Sequence, residues 1–196
     1  MGSRLEPEGD YEAETFADEA FSDITAGGAR FADCQLTRVA IEDAKLRRAR
    51  FADTVFAETR LVSVDLSETG WTGVTFTGCV LAGVQAFSSA LRRVKFSHCK
   101  LDSVNLRDAT LTDVLFEDCM MRATDFGSAK LTRVRFGGSQ LDGADFTKVT
   151  CSSVDLRGAD LDITAGFDSL RGATIDSVQL VSLAPYLARH LGIRVE

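Results

Sequence analysis

Val94-Lys95-Phe96-Ser97-His98-Cys99-Lys100-Leu101-Asp102-Ser103-Val104-Asn105-Leu106-Arg107-Asp108-Ala109-Thr110-Leu111-Thr112-Asp113 holds four units of five residues. Their centres are Phe96, Leu101, Leu106 and Leu111. Two residues before each centre stands Val94, Cys99, Val104 or Ala109. The other three positions of every unit are polar or charged. The same phase runs outward in both directions without slipping, from Phe16 and Phe21 to Leu156 and Leu161, with small residues such as Ala29, Cys34, Val39, Ala44 and Thr54 two before the centres. A helix repeats apolar residues near 3.6 and a strand repeats them at 2, so neither yields a period of five. A chain that turns one corner per unit does yield it, with the centre and the residue two before it pointing inward. Four such edges close a square, and successive coils of 20 residues stack at roughly 4.8 Å.

Sorting the units by 20 tests the square. One face collects Phe16, Leu36, Phe56, Phe76, Phe96, Phe116, Phe136 and Leu156 over a ladder of Val74, Val94, Val114, Val134 and Val154. The next collects Leu61, Leu81, Leu101, Met121, Leu141 and Leu161 over Cys79, Cys99 and Cys119. Columns this uniform require a 20-residue coil. The cysteine column is read as small buried apolar filler. Cys34 fills the same kind of slot on another face, and Cys151 fills a centre and leaves the core thin.

Units such as Ala144-Asp-Phe-Thr-Lys148 and Ala159-Asp-Leu-Asp162 resemble the pentapeptide repeat family. The resemblance implies an all-β fold, a right-handed quadrilateral β-helix. Within that family the chain is similar to the loop-free mycobacterial fluoroquinolone-resistance type, whose members look like a DNA rod to type II topoisomerases. It therefore implies a non-enzymatic binding protein with DNA gyrase or topoisomerase IV as partner. Implied with this are antibiotic resistance by partial DNA mimicry, a homodimer through the C-terminal helix, no cofactor and no direct contact with nucleic acid. The alternative is a structural or scaffold repeat protein with an unrelated protein partner.

Three segments are expected. Residues 1–13 read as an acidic flexible tail, residues 14–175 as the repeat, and residues 176–196 as a cap and dimer contact. Glu14 and Glu19 occupy inward small slots, so the first coil is expected to fray. After Leu161 the phase breaks, and an irregular loop over Asp162–Ser169 leads to a partial coil, Leu170–Ile175. Asp176-Ser-Val-Gln179 is a capping-box signature. Leu180, Leu183, Ala184, Leu187 and Leu191 follow at helical spacing, and Gly192 suits the C-terminal cap. Pro185 is expected to bend or split this helix. Ile193-Arg-Val195 alternates like a short strand. Leu180, Leu183, Leu187 and Leu191 are the candidate cap and dimer contacts.

The chemistry-bearing residues make no catalytic or metal set. His98 and His190 are the only histidines and stand apart, and Gly27-Gly28 and Gly137-Gly138 are repeat corners rather than phosphate loops. Charge is more informative. The net charge is −7, and seven acids against Arg4 lie within residues 1–20, so the remainder is near neutral. On the rod, the Leu face carries Asp23, Glu42, Asp43, Asp102, Asp142, Asp160 and Asp162 against Arg60, Lys100 and Arg122. The opposite face carries Arg30, Arg50, Arg92, Arg93, Lys130 and Arg133 against Asp33, Asp53 and Asp113. The acidic face is the candidate partner-binding surface. Phe87, an outward aromatic beside the small centre Ala86, is the candidate exposed hot spot. No apolar run is long enough for a membrane helix, and five cysteines without a C-x-x-C pair or secretion signal point to the cytoplasm.

Overall fold

The computed structural model describes residues 5–194. It is a right-handed quadrilateral β-helix of eight coils with one C-terminal helix. From the first to the eighth coil, strands pair parallel with residues 20 positions away, as Trp71 does with Phe51 and Leu91; the last pair, Val154 with Ala173, is 19 apart. Face I is an eight-stranded sheet from Asp10–Glu12 to Thr150–Ser152. Faces II and III are six-stranded sheets that start at Thr15–Ala17 and Ala20–Ser22. Face IV is a line of single bridges, Thr25 to Lys45 to Asp65 and onward to Asp145 and Ala165. Face II is the Phe face of the sequence, face III the Leu face, and face I lies opposite face III.

The inward columns fill the core. Phe56, Phe76, Phe96, Phe116 and Phe136 stack with centroids 4.6 to 5.1 Å apart. A second aromatic column on face I, Tyr11–Phe31–Phe51–Trp71, ends with Phe51 and Trp71 at 4.1 Å. Offset ring stacks add about 0.5–1.5 kcal/mol per pair to plain burial. Small polar side chains in the inward slots donate to a carbonyl 23 residues back: Thr54 to Phe31, Thr59 to Leu36, Ser89 to Leu66 and Ser139 to Phe116, at 2.9 to 3.3 Å. A hydroxyl can thus replace a methyl there, because a buried donor with a partner costs little. Where the centre shrinks to Ala86, an apolar cavity of ≈ 30 Å³ opens between Leu66, Trp71 and Leu106.

The corners have a backbone requirement that apolar periodicity hides. The residue two after each centre adopts positive φ almost throughout, at Asp18, Asp23, Asp33, Arg38 and Asp43 with φ of 50° to 56°. L-residues other than Gly, Asn and Asp pay about 1–2 kcal/mol in this region. That cost explains the recurrence of Asp at these corners and of Gly73, Gly78 and Gly83.

Both ends differ from expectation. The tail over 1–13 is not a tail from Leu5 onward. Leu5 is buried, Tyr11 stacks on Phe31 at 4.9 Å, and Glu8 N–H donates to the Gly27 carbonyl at 2.9 Å. Tyr11 is a centre in phase, and its ring anchors the strand Asp10–Glu12 despite the flanking acids. Residues 1–4 lie outside the described residues. Glu14 and Glu19 are half-buried at the open edge of a formed coil, where their carboxylates keep access to water.

At the other end, Asp162–Ser169 includes a 3₁₀ turn at Phe167–Leu170, and Ala173–Thr174 pairs with Val154–Asp155. The helix Ser177–His190 runs through Pro185 without splitting. Its Val181–Pro185 side faces solvent, so water can satisfy the carbonyl that proline leaves unpaired. Ile193 and Arg194 form no strand, and Val195 lies outside the described residues.

Gln179 joins helix to coil. Its side-chain N–H groups donate to the carbonyls of Leu156 and Ala159 at 2.6 and 2.7 Å, and its Oε1 accepts from Asp176 N at 2.8 Å. The Leu156 contact again spans 23 residues. Gln179 occupies the slot that a ninth coil's inward hydroxyl would have taken.

Candidate interaction surface

Every outward side chain sits on a column with a step of roughly 4.8 Å, so a surface is fixed by coil number and face. Face III does bring together Asp23, Glu42, Asp43, Asp102, Asp142, Asp160 and Asp162, all at least partly exposed. It does not make one stripe of them. Asp23, Glu42 and Asp43 sit on the first two coils, and Asp142, Asp160 and Asp162 on the last two, with Asp102 alone between. Roughly 24 Å separates the two groups along the rod. The middle presents Val62, Val80, Ala82 and the half-exposed Met120 together with the exposed Arg60, Lys100 and Arg122, and Glu42 is drawn toward Arg60 at 3.7 Å. The other six acids have no ion-pair partner among the described residues.

The first coil adds acids that composition had assigned to a tail. Glu6, Glu8, Asp10, Glu12, Asp18 and Glu19 are held on folded backbone at the rod's N-terminal end. Of these, Asp18 is clamped by Arg38, with two contacts of 2.6 and 2.8 Å. The guanidinium's hydrogen bonds hold the Asp18 carboxyl below its ordinary value. Arg133 clamps Asp113 in the same way one corner over, again at 2.6 and 2.8 Å, and Lys95 meets Glu117 at 2.9 Å. Arg38–Asp18 and Arg133–Asp113 are pairs of residues 20 apart, a spacing visible once the coil length is known.

Phe87 is half-buried rather than exposed, beside the fully buried Ser67 of the coil below. The helix leucines also divide. Leu183 is buried, whereas Leu180, Leu187 and Leu191 face outward. Val178 and Val181, each 74% exposed, widen that apolar side. Plotting the helix at 100° per residue places Val181, Leu180, Ala184, Leu187 and Leu191 on one arc, a signal present in the sequence but read there only through the leucines.

Cys79, Cys99 and Cys119 are buried thiols. Cys79 and Cys119 donate to the carbonyls of Phe56 and Phe96 at 3.3 and 3.5 Å. Contact with the Cys99 thiol and burial push both of these thiols well up, which makes them poor nucleophiles and poor metal ligands. Among the described residues no cluster of three or more His, Cys, Asp or Glu is placed to hold a metal. No described helix is long and apolar enough to cross a membrane.

Family profiles agree with this geometry. Residues 69–146 match the pentapeptide repeat region, and residues 34–69 match the pentapeptide repeats profile. The chain belongs to the pentapeptide repeat family. No curated protein matches the sequence. Among solved structures, two trypsin-treated forms of QnrB1, a plasmid-mediated fluoroquinolone resistance protein, superpose with TM-scores of 0.52 and 0.53. They are 15% and 18% identical to this pentapeptide repeat protein and cover 93% and 95% of it, and 99% of their own chains. At that identity the likeness concerns the fold.

Proposed function

We propose that this protein is a non-enzymatic binding protein that engages a type II DNA topoisomerase as a partial DNA mimic and so protects it from gyrase-directed antibiotics. The observation that supports this reading best is the placement of the N-terminal acids. Glu6, Glu8, Asp10, Glu12 and Glu19 are fixed on the rod, around the same N-terminal end that carries Asp23, Glu42 and Asp43 on face III. Carboxylates in fixed positions on a narrow rod offer a basic DNA-binding channel the same electrostatic attraction as phosphates, an attraction weakened by salt. The contact is then bipartite, with the N-terminal group and the group of Asp142, Asp160 and Asp162 as its two ends. The fold shared with QnrB1 is consistent with this role.

The outward apolar arc of the C-terminal helix supports a homodimer about a two-fold axis, which would double the rod. Val181→Glu with Leu191→Glu then removes the helix-mediated dimer, read as a monomer by light scattering at high salt, where contacts between exposed charges are screened. The functional test is gyrase supercoiling with and without a fluoroquinolone, titrating the protein. Inhibition or protection at micromolar protein, lost when Asp23, Asp43, Asp142 and Asp160 are changed to Lys, is the expected result. Absence of both effects sinks the reading and favours a scaffold role with another protein partner.

A further inference from the structure

We propose that face I is a second self-association surface, on which two copies of this chain lie antiparallel, face to face, about a two-fold axis over Gly70 and Thr72. The surface is distinct from the C-terminal helix and from the acids of face III, and the proposal does not rest on the topoisomerase reading.

Three observations carry it. First, the middle of face I has no bulk. Ala52, Gly70, Thr72 and Ala90 form its floor, and a Cβ added at Gly70 would meet nothing nearer than Arg50 Cγ at 4.0 Å. Two such floors can approach closely. Second, the charge of the face reverses along the rod. Its first three coils carry Asp10, Glu12, Asp33 and Asp53 against Arg30 and Arg50. Its fifth to seventh carry Arg92, Arg93, Lys130 and Arg133 against Asp113. The acidic end of this reversal rests on Asp10 and Glu12, in the first strand of the sheet. Third, Arg50, Arg92, Arg93 and Lys130 are exposed and have no ion-pair partner among the described residues.

An axis across the rods keeps each column on itself and reverses the order of coils. With the axis at the fourth coil, the first coil meets the seventh and the third meets the fifth. Asp10 then faces Lys130 and Asp53 faces Arg93, each twice by symmetry. Arg50 lies opposite Ala90, and Arg30 opposite Thr110, where short side chains leave room. Asp33 comes opposite Asp113, whose charge is already answered by Arg133 and flanked by Arg93. A parallel arrangement would instead set the acidic first coil and the basic fifth and seventh coils against their own copies, and like charges at an interface oppose association. A polar contact over a narrow face belongs to the weak, salt-sensitive class, with facing charges setting register.

The test uses the full chain carrying Val181→Glu and Leu191→Glu, so that the helix contributes no association. Sedimentation velocity over a concentration series, at low and at physiological salt, should show a monomer–dimer equilibrium that salt weakens. Asp10→Lys with Asp53→Lys should weaken it at least about tenfold, a change of ~1.4 kcal/mol. Arg93→Glu with Lys130→Glu should do the same. An equimolar mixture of these two variants should recover the association, because every facing pair is again of opposite sign. Gly70→Arg, which the fold accommodates, should abolish it. Failure of the mixture to recover, or association indifferent to Gly70→Arg, overturns the proposal. So does a wild-type face that stays monomeric while retaining a duplex oligonucleotide through the same arginines.

Discussion

Gln179→Leu removes the side chain that ends the solenoid and leaves the surrounding shape nearly unchanged. Two acceptors lose their donors, the carbonyls of Leu156 and Ala159, and Asp176 N loses the Oε1 that completes its capping box. Gln179 is only 6% exposed, so water does not readily replace it. A buried polar group left without a partner costs about 1–3 kcal/mol, and an N-terminal cap is worth about 1 kcal/mol. Leucine returns part of this through about 1–2 kcal/mol of apolar burial. With two carbonyls orphaned, the expected net loss is therefore about 1–6 kcal/mol. It is a local quantity, because the helix can detach before the coils melt. Hydrogen exchange should report it as faster exchange in Ser177–His190 and at Leu156–Asp160, with the coils around Phe76 and Phe96 unchanged. Urea melts followed by far-ultraviolet circular dichroism should show an early, low-amplitude transition. Exchange in the helix within a factor of about two of wild type, under 0.5 kcal/mol, would refute the view that this amide stands in for a ninth coil.

Phe96→Ala, in the middle of the face II stack, should cost about 3–5 kcal/mol by chemical denaturation; a loss below 1 kcal/mol would contradict its burial between Phe76 and Phe116. Ala86→Val should gain up to about 1 kcal/mol by occupying the adjoining cavity, and a loss would show the cavity to be closed to a branched side chain. Ala123→Gly, at a corner with φ of 49°, should raise the melting temperature through a gain of about 0.5–1 kcal/mol; Arg48 at φ 60° offers an independent check. Arg38 and Arg133 hold the Asp18 and Asp113 carboxyls below their ordinary value through direct hydrogen bonds. A carboxyl with a lowered folded pKa adds stability above its unfolded value, about 3.9, and loses it as pH falls through the folded value. Acid titration of stability should therefore be shallower below about pH 4 in a protein with Asp18→Asn and Asp113→Asn, and an unchanged slope would mean these clamps contribute nothing.

The repeat itself was legible because inward and outward positions obey opposite chemistry. Phe and Leu at one phase, Ala, Val, Thr and Cys two before it, and charge elsewhere suffice to set the coil length at 20. The Phe column of face II and the cysteine column followed from that alone. Ends were harder. Tyr11 is in phase but is flanked by acids, and only its packing on Phe31 shows that the first coil begins there. Phe87 has an outward phase, which leaves its exposure open, and in the structure it is half-buried.

The surfaces divide in the same way. By itself the sequence determined the fold, the core columns and which face each charge belongs to, since phase and coil number are properties of the chain order. It also placed the capping box at Asp176–Gln179. Only the tertiary structure decided that the N-terminal acids ride on the rod, that the acids of face III form two groups with an apolar and basic middle between them, and that Gln179 terminates the sheet. Each of these depends on what covers an edge and on distances between coils. A one-dimensional period carries no such information, because an end has no neighbour on one side and the period says nothing of what replaces it.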